Sequence, residues 1–217
     1  MKPLLLKCKP LDDILNGGME RNSVTEIYGE PGSGKTNLCL QASRECAASD
    51  KKVAYIDSVG VSLERLKQIC ENKDCNTILS NILFFNPSTF EEQEQMIQDA
   101  LKIKDLDLIV VDTFNSFYRL MLEDDEKFAD RSLNRQITEL QIAANEKNIF
   151  VLIIGQVYST ENNDVKPFGG RVIERMVKTI IKLEKLNRGK RQATLIKHQS
   201  QPKGKKAIFS ITSEGLE

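Results

Sequence analysis

Short apolar and β-branched runs alternate along this chain with longer amphipathic stretches, the pattern of a mostly parallel sheet covered by helices. The runs Val24 to Tyr28, Val53 to Asp57, Ile82 to Phe85, Leu108 to Asp112 and Ile149 to Ile154 read as strands. Helices are expected between them, over Lys35 to Ala48, Ser62 to Lys73, Thr89 to Leu101 and Asp125 to Lys147. In the last of these, Leu133, Ile137, Leu140 and Ala144 recur at helical spacing, so that stripe is core packing. Ser62 and Ser88 stand where N-caps are expected, and Ser88 with Glu91 approximates a capping box. Beyond Ile154 the pattern changes to a polar loop over Val157 to Phe168, a Gly169-Gly170 pair and three alternating runs, Thr179 to Lys185, Gln192 to Lys197 and Lys206 to Ile211. These runs predict an antiparallel extension of the sheet edge. The expected fold class is therefore α/β, with 217 residues in a single domain.

Composition adds limits. Charged residues make up 29% and hydrophobic residues 40%, the balance of a globular chain rather than a disordered one. No apolar run approaches the length of a signal or membrane segment, which leads us to expect a cytoplasmic protein. Five cysteines at unrelated spacings and the lone His198 do not form a zinc-site pattern, and the cysteines read as small hydrophobes. The net charge of zero hides an asymmetry. From Val165 to Glu217 there are thirteen Lys and Arg against four Asp and Glu, a surplus of +9 that the remainder of the chain cancels. Such a split allows a basic face for a polyanion, and equally an ordinary solvated surface.

The chemistry is concentrated in Gly29-Glu30-Pro31-Gly32-Ser33-Gly34-Lys35-Thr36, a phosphate-binding loop between an expected strand and an expected helix. Its glycines let backbone N–H groups curl around a phosphate, and the helix start adds positive potential. Lys35 supplies a charge for the outer phosphates of ATP, and the Thr36 hydroxyl is a ligand for Mg2+. A second magnesium partner is expected at the carboxyl end of a buried strand. Leu108 to Val111 is such a strand, and Asp112 stands at its end.

Further motifs resemble the RecA/RadA recombinase family over nearly the whole chain, and within it the archaeal RadB-type paralogues. They are LDDILNGG at Leu11 to Gly18, the YID strand end at Tyr55 to Asp57, Glu64-Arg65, Gln156 after the IIG strand, and PFGG at Pro167 to Gly170. The resemblance implies a RecA-like P-loop core. It carries no N-terminal helical domain and no Phe-x-x-Ala linker ahead of Lys7, so long self-filaments are not expected, while a homodimer or mixed filaments stay open. It also implies that Arg65 packs against adenine and that Gln156 senses the γ-phosphate. The family's water-polarising glutamate corresponds here to Val59, which can neither accept a proton nor orient a water. Asp57 and Glu64 are the nearest spare carboxylates.

In the family, two loops grip DNA. The matching segments run from about Phe117 to Arg135, with Arg119, Arg131 and Arg135, and from Val157 to Arg171, with Lys166 and Arg171. Within the first, the acidic run Glu123 to Glu126 would repel DNA or meet a basic partner. Two basic turns follow, one with Arg188, Lys190 and Arg191 and one with Lys203, Lys205 and Lys206, and Lys197 or His198 would face a neighbouring subunit's nucleotide. The resemblance thus implies an ATP- and DNA-binding recombinase paralogue, a mediator or regulator of the RadA recombinase on single-stranded DNA, with weak or absent hydrolysis. Two alternatives remain open: a nucleotide-dependent protein-interaction regulator without direct DNA binding, and a KaiC-like P-loop ATPase.

Overall fold

A computed structural model describes residues 2–70, 74–160, 165–187 and 189–217. Arg188, the end of the helix expected to reach Lys73, and the centre of the polar loop before Phe168 lie outside these described residues.

The first strand, β1 (Ser23–Gly29), follows the short helix α1 (Lys9–Ile14) and leads into α2 (Lys35–Ala47). Next come β2 (Lys52–Asp57), α3 (Leu63–Cys70), α4 (Cys75–Ser80), β3 (Ile82–Phe85), α5 (Phe90–Ala100) and β4 (Leu106–Asp112). Two consecutive helices, α6 (Ser116–Asp124) and α7 (Glu126–Lys147), precede β5 (Phe150–Gly155). A small hairpin of β6 (Val157–Ser159) and β7 (Val165–Pro167) leads through α8 (Gly170–Met176) to β8 (Thr179–Lys185), β9 (Lys190–Lys197), β10 (Lys206–Thr212) and β11 (Gly215–Leu216).

Nine strands form one sheet in the order β11-β10-β9-β8-β1-β5-β4-β2-β3. The segment from β8 to β3 is parallel throughout, and β9, β10 and β11 extend it antiparallel. The antiparallel extension expected for the tail therefore starts one strand later than the alternation suggested. β8 pairs parallel with β1, bringing Leu183 opposite Gly29.

Both faces of the sheet are covered, which explains the continuous apolar strands. Alternate residues of β4 enter opposite cores: Leu108 and Val110 pack with Leu38 of α2 and Tyr55, while Ile109 and Val111 pack with Phe90 of α5 and Leu140 of α7. The stripe Leu133, Ile137, Leu140 and Ala144 is fully buried in this second core, as its period predicts. Helix α7 starts where the Asp125 carboxylate accepts from the Phe128 N–H at 2.9 Å. The start of α3 is capped by the Ser62 hydroxyl, which accepts from Arg65 N–H. At α5 the cap is Thr89 rather than Ser88, its hydroxyl accepting from Glu92 N–H while Glu92 returns a bond to Ser88 N–H. The capping box exists one residue later than the spacing suggested.

Two further expectations change. The stretch from Phe117 to Arg135 is helical almost throughout, as nearly all of α6 and the start of α7, with the acidic run at their junction. Tyr118, Leu133 and Ala129 are buried, so the apolar period of the segment wins over its charged residues. The polar stretch after Gln156 contains the β6–β7 hairpin, with Tyr158 opposite Lys166. Among the described residues no helix is long and apolar enough to cross a membrane.

Candidate nucleotide site and basic face

Because β5 lies between β1 and β4, the sheet brings three loops to one edge: the P-loop after β1, Gln156 after β5 and Asp112 at the end of β4. Ligands in open α/β sheets bind at the carboxyl ends of such strands.

The P-loop needs its glycines for close approach. A side chain on Gly29 would reach within 2.1 Å of the Leu183 carbonyl oxygen, and Gly34 takes φ 101° to start α2 under Ile211. Ser33 Oγ is buried with no hydrogen-bond partner among the described residues, a polar group aimed into the loop. Lys35 Nζ donates to the carbonyls of Gly29 and Glu30 at 2.7 and 3.0 Å, closing the loop over its own ammonium. Burial draws the Lys35 pKa below the usual lysine range, with the Asp112 carboxylate acting in the opposite sense. Pro31 and Gly32 are exposed at the tip.

Asp112 is almost fully buried. Burial raises its pKa, and hydrogen bonds from the hydroxyls of Thr36 and Tyr55 oppose that rise. Tyr55 comes from β2, with its oxygen 2.9 Å from Asp112 Oδ2. Thr36 and Asp112 thus meet as two oxygen donors beside the loop, a pair that suits a hard divalent cation. The uncommitted Ser33 hydroxyl, the glycine-lined approach and this oxygen pair together fit a magnesium nucleotide.

The neighbourhood of Val59 is committed elsewhere. Val59 itself is 53% exposed. Asp57 accepts from the N–H groups of Val59 and Gly60 through Oδ1, and from Val61 through Oδ2 at 2.6 Å. Both of its oxygens therefore serve the turn after β2. Glu64 is exposed and accepts from the Ser62 hydroxyl. Arg65 is held at its edges by Asn37 Oδ1, Gln68 Oε1 and the carbonyls of Thr212 and Ser213, which leaves stacking to the faces of its guanidinium.

Two connectors were not legible in the sequence. Asn115, fully buried, accepts from Gln156 N–H at 2.7 Å and donates to the carbonyls of Gln156 and Phe168. It ties the end of β4 to the segment after β5. Ser58 accepts from Thr113 N–H and its own N–H donates to the Asp112 carbonyl, joining β2 to β4. An Asn and a Ser at strand ends carry no signal until the strand order is known.

On the adjoining face, Lys166 and Arg171 line a cleft of about 930 Å³ with Tyr118, Phe168, Glu26 and Glu174. Arg119 of α6 lies over the Phe168 ring at 5.8 Å. Arg131 is exposed on α7. Arg135 stands apart from the group expected to act together, because it pairs with Glu94 of α5, its Nη2 2.7 Å from Oε2. The basic group expected on one turn also divides: Arg191 lies within β9, and its Nε donates to the Gly32 carbonyl of the P-loop at 3.0 Å. Lys197 Nζ donates to the Glu174 carbonyl, and His198 Nδ1 accepts from Ser200 N–H.

Residues 4–217 match the family model Rad51. A protein named DNA repair and recombination protein RadB from Methanococcoides burtonii is 42% identical, over 98% of this chain and 96% of its own length. One of the same name from Thermoplasma acidophilum is 39% identical, over 95% and 90%. A crystal structure of the RadB recombinase superposes with a TM-score of 0.87 at 36% identity, covering 99% of this chain and 98% of that one. With likeness this extensive in both sequence and fold, the chain belongs to the Rad51 family, in its RadB branch.

Proposed function

We propose that the chain binds ATP with magnesium through the P-loop, Thr36 and Asp112, and serves DNA recombination and repair as an accessory to the RadA recombinase. The observation that carries the nucleotide reading is the meeting of Thr36 with Asp112 at the base of α2, beside Lys35. Magnesium, when bound, neutralises phosphate charge. The chain's own residues hold that arrangement: Tyr55 orients Asp112, and Asn115 fixes Gln156 between the two loops.

Hydrolysis is weak or absent on this reading. Val59 occupies the family's general-base position, and Asp57 has both oxygens engaged by backbone N–H groups. A missing general base costs roughly 10²- to 10⁴-fold in rate. DNA, single-stranded in the leading form of the proposal, is held on the face that carries Lys166, Arg171, Arg119 and Arg131, with Tyr158 and Phe168 as stacking surfaces.

A second reading, a nucleotide-dependent regulator that binds protein rather than DNA, is favoured by one observation. Glu123 to Glu126 are all exposed at the α6–α7 junction, close in sequence to Arg119 and Arg131. Binding to a labelled single strand, followed against salt with and without ATP, separates the two. The DNA reading expects affinity that falls steeply with salt and drops for Lys166→Ala and Arg171→Ala. Retention of purified RadA at a salt concentration where no DNA is held, with no DNA binding at low salt, supports the regulator instead.

A further inference from the structure

The β8–β9 hairpin places two cations on the P-loop of its own chain. Since β8 runs parallel to β1 with Leu183 opposite Gly29, Lys185 arrives beside the loop, and its N–H donates to Glu30 Oε1 at 3.2 Å. Arg191 stands opposite Lys185 in the antiparallel ladder and binds the Gly32 carbonyl. The Lys185 side chain crosses the loop tip: a Cβ on Gly32 would lie 2.9 Å from Lys185 Cε and 3.2 Å from Nζ. A larger residue at position 32 would therefore displace the lysine.

Among the described residues the Lys185 ammonium has no hydrogen-bond or ion-pair partner, and it lies over the exposed loop tip at Gly32. Lys35, Lys185 and the Arg191 guanidinium thus gather at a loop whose backbone N–H groups already favour anions. Only Glu30 contributes negative charge within the loop. This excess is relieved by a ligand with several negative charges at its exposed end.

We propose that Lys185 is a ligand for the terminal phosphate of a nucleoside triphosphate, supplied in cis by the β8–β9 hairpin, with Arg191 positioning the loop tip through Gly32. The proposal rests on the nucleotide reading above and deepens it, because it gives one subunit a means of telling ATP from ADP without a neighbour. Arg191 acts through the backbone and so affects both nucleotides alike, whereas Lys185 affects the triphosphate alone.

The test is equilibrium titration of the full chain with fluorescent ATP and ADP analogues at fixed magnesium, with folding of each variant checked by circular dichroism. Lys185→Ala is expected to weaken ATP binding about ten-fold, as loss of one charge-assisted contact does, and to leave ADP little changed. Lys185→Arg should retain most of the ATP preference, and Arg191→Ala should weaken both nucleotides together. An equimolar mixture of Lys185→Ala and Lys35→Ala chains distinguishes cis from trans action, since recovery of tight ATP binding in the mixture would overturn the cis assignment. Unchanged ATP affinity in Lys185→Ala, with normal binding by the wild type, overturns the hairpin's role and leaves the nucleotide reading standing. Equal losses for ATP and ADP in Lys185→Ala overturn the terminal-phosphate assignment. Failure of the wild type to bind either nucleotide overturns both.

Discussion

The hydroxyl of Tyr55 donates to Asp112 Oδ2 at 2.9 Å from the neighbouring strand, so the residue at the tip of β4 is oriented by a side chain that also fills the core beside Leu38. Tyr55 is fully buried, and β2 pairs with β4 in register across this point, Tyr55 opposite Val110 and Asp57 opposite Asp112. Removal of that one oxygen leaves the core packing in place and takes a donor from a buried carboxylate. Tyr55→Phe is therefore expected to destabilise the fold by about 1–3 kcal/mol. It should also loosen the magnesium dependence of ATP binding. Urea unfolding and a magnesium titration at fixed ATP measure the two effects, and an unchanged magnesium dependence would show that Asp112 is oriented without Tyr55.

Among the described residues only the side chain of Asn115 binds both Gln156 and Phe168, through three hydrogen bonds made from a fully buried position. Asn115→Ala would leave the Gln156 N–H and two carbonyls without that partner. The expected loss of stability is about 2–4 kcal/mol. Asn115→Asp keeps the acceptor and loses the two donated bonds, so its midpoint should also fall. A wild-type unfolding midpoint for Asn115→Ala would contradict the role of this residue as a connector.

Glu26, in the middle of β1, is 1% exposed with Oε1 unpartnered among the described residues, and burial beside Glu174 pushes its pKa up to about 8. In the unfolded chain a glutamate ionises near its ordinary value of about 4.3. Between these values the unfolded state binds fewer protons than the folded one, so stability falls as pH rises. The contribution is fully present below the unfolded pKa and is lost as pH passes through the folded one. Denaturant midpoints should decline from about pH 5 to pH 8, and Glu26→Gln, neutral throughout, should flatten that decline. An identical pH slope in Glu26→Gln would assign the decline to other groups.

Arg135 gives a contrast on the basic face. Its guanidinium pairs with Glu94, whereas Lys166 and Arg171 line the cleft beside Phe168. Arg135→Ala should change single-strand binding by less than about three-fold, while Lys166→Ala and Arg171→Ala each weaken it more and lower the salt slope by about one phosphate contact. Fluorescence anisotropy across a salt series reads both quantities. A loss in Arg135→Ala as large as in Arg171→Ala would mean that the Glu94 pair opens on binding.

The parts of this architecture that were legible in the sequence are those written locally. The P-loop is a contiguous code between a strand and a helix, Asp112 follows four apolar residues, and the buried stripe of α7 repeats at helical spacing. The relations that were not legible depend on strand order. Asn115 meets a residue 41 positions away and Arg191 meets one 159 positions away, contacts that arise because β4 lies next to β5 and β8, which carries β9, lies next to β1. The place of Arg135 in the chain alone groups it with Arg119 and Arg131. The partner that redirects it, Glu94, sits on a helix whose packing against α7 no local pattern announces. The Thr89 cap shows the same limit on a small scale, since the spacing points to Ser88 and it is the neighbouring Thr89 whose oxygen lies on the Glu92 N–H.

Whether the chain holds ATP without turning it over at the family's rate is decided by steady-state phosphate release at saturating, independently measured nucleotide occupancy, with and without single-stranded DNA. Lys35→Ala sets the background. Full ATP occupancy is expected in the wild type with release no faster than that background, and a rise of about ten-fold or more when Val59→Glu supplies a carboxylate. Rapid DNA-stimulated release by the wild type would contradict this expectation, because a group other than a residue at position 59 would then be activating water.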